Sequence, residues 1–303
     1  MEKRLFRKEH PILMGLLIAG GIFLLFLFGI TFFISMLFSQ AKGDYLPKKD
    51  GIGIIEIKGV IFSPDEVIQN LAAFRKNEHV KGIVLRVDSP GGTVGASQEI
   101  FEEVKRTNKV KPVIASMGSI AASGGYYVSL GAEKIIASPG SLTGSMGVIL
   151  KFANLAELYK KIGYQVEIIK SGQLKDIGAS NRALTEKEKA VLQSMLDDVH
   201  DQFISAIATS RALPEEKIRA LADGRVFSGQ QAKEHGLIDD FGNLMDAVQM
   251  AGKLANYETD DPYLIYPVEK DFSLLRLLAG SKNQAVVDFL RNYNPGISYE
   301  WQM

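Results

Sequence analysis

The chain contains no cysteine among its 303 residues. That excludes a disulfide framework, a thiolate metal site and a cysteine nucleophile. Histidine is scarce, and His10, His79, His200 and His235 are too scattered to form a metal site by spacing. No metal and no cofactor is therefore expected. An excess of one charge is also missing, since Lys+Arg and Asp+Glu each count 35. With no basic run either, nothing points to a nucleic-acid partner. Long apolar runs are absent with one exception, and there is neither an internal repeat nor a low-complexity segment.

That exception lies at residues 12–38, "ILMGLLIAGGIFLLFLFGITFFISMLF", 27 residues without a charge. As a helix it is roughly 40 Å long, enough to cross the ~30 Å hydrocarbon core with some tilt. A secretory leader has a shorter apolar region and a small-residue cleavage site, and "FSQAKG" matches one poorly. The run thus reads as a retained transmembrane helix. Lys3, Arg4, Arg7 and Lys8 precede it, against Lys42, Lys48 and Lys49 after it. This bias places residues 1–11 in the cytoplasm and the body of the chain outside, as a single-pass protein of the cell membrane.

After a linker at 39–50, strand and helix alternate. "IGIIEI" reads as a strand, and "SPDEVIQNLAAFRKN" as a helix with apolar residues at Val67, Ile68, Leu71 and Phe74. "KGIVLRVDSPGG" is a buried strand running into a glycine loop, "TVGASQEIFEEVKRTN" an amphipathic helix, and "KPVIASMGS" a third strand. Such alternation means an α/β domain with parallel strands, assigned to residues 51–255. Further on, "FANLAELYKKIG" reads as a helix and "YQVEIIKSG" as a strand. A long helix opens at the capping box of Thr185 and Glu188, followed by "PEEKIRAL" as a short helix. "GRVFSGQQAKEHGLID" reads as strand, helix and glycine stop. Residues 256–303 form a polar tail carrying "FSLLRLLAG", which is expected to fold back on the catalytic face or the bilayer.

Three glycine junctions, "DSPGG", "AASGG" and "SLTGSMG", fall within about sixty residues. In α/β sheets, strand ends are where ligands bind. Ser123 stands isolated among small residues, as a nucleophile would. The backbone N–H groups of Gly124 and Gly91 are candidates to hold a carbonyl oxygen as it gains charge, each such donor being worth ~3 kcal/mol. A serine hydroxyl needs a base. No histidine lies beside a glycine junction. Lys175, in "IIKSGQLKDIGA", is the leading lysine, with Lys170 and Lys151 as rivals. To serve as a base it must be neutral, which lowers its pKa from ~10.4 to ~7–8 at roughly 4 kcal/mol of desolvation.

"VDSPGG", "MGSIAASGGYYVSLGAEKIIASPGSLTGSMGVI" and "KSGQLKDIG", in that order after one span, resemble the signal peptide peptidase A family in its short bacterial form. The resemblance runs from about Ile52 to Val248. It implies a ClpP/crotonase-like α/β fold of repeated β-β-α units preceded by one transmembrane helix. It also implies a Ser-Lys dyad of Ser123 as nucleophile and Lys175 as general base, with Gly91 and Gly124 as oxyanion donors. Ser145 would position the lysine. The family's short members form homo-oligomeric rings, with sites between neighbouring copies, and cut remnant signal peptides and other extended peptides near the lipid bilayer. Two other readings remain open at this point. One is a non-catalytic membrane scaffold, in which the glycines serve packing. The other is an acyl-CoA enzyme, which the membrane span disfavours.

Overall fold

The computed structural model describes residues 11–40, 49–267 and 298–300, with side chains over 18–33 and 49–267. The chain divides into two compact units, Met1–Tyr45 and Leu46–Met303. The expected cytoplasmic N-terminus, most of the linker and the apolar segments of the tail lie outside the described residues.

The first unit contains helix α1, Pro11–Gln40. Its described side chains, residues 18–33, are exposed and apolar apart from Thr31. The Thr31 hydroxyl donates to the carbonyls of Leu27 and Phe28, at 3.0 and 2.9 Å, so even this polar group is satisfied within the helix. Those 16 residues cover roughly 24 Å of helix axis. Among the described residues, no helix is long and apolar enough to cross a membrane.

The second unit begins with β1 (Gly51–Lys58), α2 (Asp65–Lys76), β2 (Val80–Ser89) and β3 (Gly91–Thr93). Then come α3 (Val94–Asn108), β4 (Val113–Ala122), α4 (Gly124–Ser129), β5 (Lys134–Ala137) and β6 (Leu142–Gly144). The later part holds α5 (Ala156–Lys161), α6 (Glu186–Arg211), α7 (Glu215–Leu221), β7 (Val226–Ser228) and α8 (Gly229–His235). It closes with β8 (Asp240–Phe241), α9 (Leu244–Leu254), β9 (Leu264–Ile265) and β10 (Ser298–Glu300). The eight-stranded sheet follows the order β7-β6-β4-β2-β1-β9, with β5 beside β4 and β8 beside β5. All its pairings are parallel except β6 with β7.

A parallel sheet needs cover on both faces, and strand alternation provides it. Ile55, Ile57, Ile83 and Leu85 enter the larger core together with Leu71 and Phe74 of α2 and Ile100 of α3. Ile52, Ile54, Val84 and Ile114 point the other way, into a smaller core with Ala247, Val248 and Ala251 of α9. The mixed α/β architecture and the first three strands agree with the sequence reading.

Two expectations need correction in residues 150–170. The helix expected over "FANLAELYKKIG" contracts to the six residues of α5, none of them buried. The strand expected over "YQVEIIKSG" does not form, and residues 164–170 have no regular structure. Their apolar residues are right for a strand, but no strand among the described residues takes up the backbone hydrogen bonds. No residue from 147 to 187 is buried, and Ile169 is fully exposed. This arm, residues 147–187, makes only partial contacts, with Val148 against the larger core and Tyr159 against Tyr164, and buries none of its residues.

Candidate active site

The three glycine junctions converge at the ends of neighbouring strands. Ser89 of β2 pairs with Ala121 of β4, and Ala122 pairs with Gly144 of β6. Ser123 and Ser145 therefore each follow a paired residue on adjacent parallel strands, which lie ~4.8 Å apart. Gly91 follows Ser89 by two residues on the other side of β4. Between Val87 and Ser89 the register of β2 slips against β4, leaving Asp88 to fill the bulge. The Ile120 N–H donates to the Asp88 carboxylate at 3.1 Å. A Cβ on Gly118 would lie 2.8 Å from that carboxylate carbon, so the glycine there makes room for Asp88.

Ser123 caps α4 with φ 53° and ψ −115°, a left-handed conformation that an L side chain seldom adopts. Its surroundings hold it there. Its N–H donates to the Gly144 carbonyl at 2.7 Å, and its carbonyl accepts from the Tyr127 N–H at 2.8 Å. The fully buried Tyr126 donates its hydroxyl to the Leu237 carbonyl at 2.8 Å, and burial pushes that phenol well above its ordinary range. The Tyr127 ring packs edge-on against Phe101 and tilted against Phe203. Ser123 itself is fully buried, and its Oγ has no hydrogen-bond partner among the described residues. A buried hydroxyl without a partner is costly, and here it sits on strained backbone at a strand end.

The expected oxyanion donors lie alongside. A Cβ on Gly124 would come 2.6 Å from the Ser97 hydroxyl, 3.1 Å from the Gly92 nitrogen and 3.2 Å from the Gly91 Cα, so any larger residue would have to push these neighbours apart. The Gly91 N–H donates to the Ser89 hydroxyl at 3.1 Å. To serve an oxyanion it must exchange this neutral acceptor for a charged one, which is the stronger partner. Gly92, read from the sequence with Gly91 as a residue able to expose its backbone N–H but not assigned as an oxyanion donor, is the most confined of the group. Its Cβ would stand 2.0 Å from the Ile61 carbonyl oxygen. The "PGG" pair was its only signal. Ser145 also has a positive φ, 49°, and is nearly buried.

β3 carries one more feature. Ser298–Glu300 pair with it in antiparallel register, Tyr299 opposite Gly92 and Glu300 opposite Gly91. An extended segment of the chain thus lies along β3, whose Gly91 and Gly92 approach Gly124 beside Ser123.

Lys175 has the opposite setting. It lies in the exposed arm and lines an open depression with Ser171, Gly172, Gln173, Leu174 and Lys187. It forms no hydrogen bond with the Ser123 hydroxyl, and the described residues leave it exposed rather than buried as expected for a base. The loop that carries it is nonetheless braced. Arg182 donates to both oxygens of Glu188, at 2.8 and 2.5 Å, and its Nε donates to Asp176 at 3.2 Å. The Lys170 ammonium binds the same Asp176 carboxylate. The Arg182 guanidinium, with help from the Thr185 N–H, draws the Glu188 carboxyl down to about 2. The Thr185–Glu188 capping box is present as expected, but the tie from Glu188 to Arg182 was not legible in the sequence.

Among the other candidate bases, the described histidines are used elsewhere or stand apart. His79 pairs with Asp50 at 2.8 Å, His235 packs on the Phe227 ring, and His200 lies on α6 with Nε2 buried and unpartnered. No cluster of metal-ligating side chains exists among the described residues.

Comparison with known proteins follows the same lines. The model for peptidase family S49 matches residues 105–258, and that for Clp protease matches residues 57–143. A Synechocystis sp. protein assigned as a protease is 41% identical over 235 residues, covering 77% of this chain and 84% of its own length. The chloroplast serine protease SPPA of Arabidopsis thaliana is 37% identical over 68% of this chain and 32% of its own. Protease 4 of Haemophilus influenzae is 32% identical over 72% and 37%. The chain thus spans about a third of the two longer relatives. It belongs to peptidase family S49, the SppA-type Ser-Lys serine peptidases with a ClpP-like α/β fold.

Proposed function

We propose that this serine peptidase is anchored to the membrane by α1 and degrades remnant signal peptides after their release from preproteins. The observation that carries the catalytic assignment is Ser123, a buried, unpartnered hydroxyl held on strained backbone between two glycine junctions. In this reading a neutral Lys175 takes the Ser123 proton, and the oxygen attacks a peptide carbonyl. The Gly124 and Gly91 N–H groups hold the oxyanion, the lysine protonates the leaving amine, and water then hydrolyses the acyl-enzyme. Ser145, one strand over, holds the lysine amine.

Because Lys175 sits on an exposed arm while Ser123 is enclosed, the dyad is completed between copies of the chain in a homo-oligomeric ring. The neighbour covers the arm's exposed apolar residues and removes water from the amine, supplying the desolvation that one chain lacks. Extended substrates are supported by the pairing of Ser298–Glu300 along β3, an edge that accepts an added strand. A bilayer-held site selects peptides close to the membrane, as the 27-residue uncharged run leads us to expect.

The test is labelling by a serine-directed fluorophosphonate, together with hydrolysis of a synthetic signal peptide by full-length protein in bilayer nanodiscs. Labelling that is lost in Ser123→Ala, with cleavage inside the apolar segment, is the expected result. Equal labelling of Ser123→Ala, or no cleavage of the signal peptide, overturns it.

A further inference from the structure

Two parallel strands ordinarily advance residue for residue, so a slip in their register has to be held by something. β2 and β4 keep step from Ile83 with Val113 to Val87 with Met117, and resume at Ser89 with Ala121. Between those pairs the single residue Asp88 faces Gly118, Ser119 and Ile120, two more residues than the ladder needs. Here β4 also changes its other neighbour, from β5 at Ile114–Ser116 to β6 at Ile120–Ala122. The insertion is thus a corner in β4, ending three residues before Ser123. Counting on from the pairs, Ser123 falls level with Gly91. With an unbroken register it would fall level with Thr93, roughly 7 Å further along β2.

A corner frees backbone groups from the ladder, and each needs another partner. Three side chains supply them. Arg86 donates through Nη1 to the Met117 carbonyl at 3.0 Å and to the Ser116 hydroxyl at 2.9 Å. The buried Ser141 hydroxyl donates to the Gly118 carbonyl at 2.7 Å. The Asp88 carboxylate accepts from the Ile120 N–H at 3.1 Å, in the room that Gly118 leaves for it. Its own carbonyl accepts from the Gly59 N–H at 3.0 Å, which ties Asp88 to the end of β1. From Ile120 the chain runs through Ala121 and Ala122, paired with β2 and β6, to Ser123.

We propose that Asp88, Arg86 and Ser141 are positioning residues of the peptidase: by pinning the corner of β4 they set Ser123 level with the glycine loop. They act on Ser123 through the backbone of residues 117–122 and take no part in the bond-making steps. At Asp88 the acceptor oxygen matters and the charge does not, because its partner is a neutral backbone N–H. This rests on Ser123 being the nucleophile. Misplacing a reacting group by about 1 Å costs on the order of a hundredfold in rate, so a loosened corner is read in the chemistry.

The experiment follows fluorophosphonate labelling of the full-length protein in nanodiscs, recording both the second-order rate and the final extent. Asp88→Ala is expected to label to the wild-type extent, but about ten- to a hundredfold more slowly. Asp88→Asn keeps an acceptor oxygen and drops the charge, and is expected to return to within about threefold of the wild-type rate. Ser141→Ala removes one oxygen without adding bulk, and is expected to slow labelling about three- to tenfold. It keeps the inference open to test should Asp88→Ala fail to fold. A merely structural role lowers the final extent, through loss of folded protein, while the remaining sites label at the wild-type rate; that outcome overturns the inference. So does Asp88→Asn as slow as Asp88→Ala, or a wild-type rate in either alanine variant. Equal labelling of Ser123→Ala would overturn the nucleophile assignment itself, and this inference with it.

Discussion

The strand ends around Ser123 and the arm around Lys175 are held in opposite ways. The first is enclosed: backbone approaches backbone so closely that a single added methyl collides, and aromatic rings lock the helix behind Ser123. The second has no buried residue over 147–187 and is organised by charge, through Asp176, Arg182 and Glu188. Close packing fixes one geometry at the cost of tolerating no change, whereas an ion-pair brace fixes a loop that still has a surface to be covered. The teaching is that the proposed nucleophile and the proposed base belong to differently built parts, one enclosed and one exposed.

The largest effect tests whether the two parts act as one site. Ser123→Ala and Lys175→Ala are each expected to lower kcat/KM at least about a thousandfold, with circular dichroism unchanged. If the dyad forms between copies, equal mixing of the two variants before assembly restores roughly a quarter of the activity, the fraction of contacts in which both intact residues meet. No recovery on mixing would place the dyad within one chain.

Next, the same substitution is expected to diverge between the regions. Gly92→Ala drives a methyl into the Ile61 carbonyl and should cost more than about 3 kcal/mol in urea unfolding. Gly172→Ala in the arm meets nothing within 4 Å and should stay within about 0.5 kcal/mol. Equal costs would erase the contrast.

A third change separates assembly from folding. Ile169→Asp alters a fully exposed side chain, so the melting temperature of the dissociated chain should hardly move. Light scattering should show smaller particles and peptidase activity should fall with them. An unchanged particle mass would show that Ile169 does not face a neighbour.

The smallest effect concerns pH. The Glu188 pKa is depressed in the folded chain to about 2 from an ordinary value near 4.5. Its stabilising contribution is therefore complete above the unfolded value and lost as pH falls through about 2. Hydrogen exchange in residues 176–188, corrected for intrinsic rates, should show equal protection at pH 7 and 5 and loss toward pH 2. Loss already between pH 7 and 5 would assign the brace to another group.

How far these features were legible varies with range. The strands at "IGIIEI" and "KGIVLRVDS" were readable because apolar runs bounded by turn residues are local signals. So was the capping box at Thr185, and the glycines beside Ser123 announced a close approach. What was not legible depends on partners distant in sequence. Gly92 is confined by Ile61, Tyr126 is held by Leu237, and the "YQVEIIKSG" strand fails for want of a neighbour among the described residues. Apolar alternation states that a segment is able to pair, and only the fold states with what.

By itself, then, the sequence determined the α/β alternation, the single uncharged run at 12–38 and the serine set among glycines, since each is written in residues next to one another. Tertiary structure alone decided that β2, β4 and β6 end side by side, that Ser123 is strained, buried and without a hydroxyl partner among the described residues, and that Lys175 lies on an exposed arm. Those facts follow from which strands hydrogen-bond to which, and pairing between distant segments is chosen by the burial of the whole core rather than by any short stretch of chain.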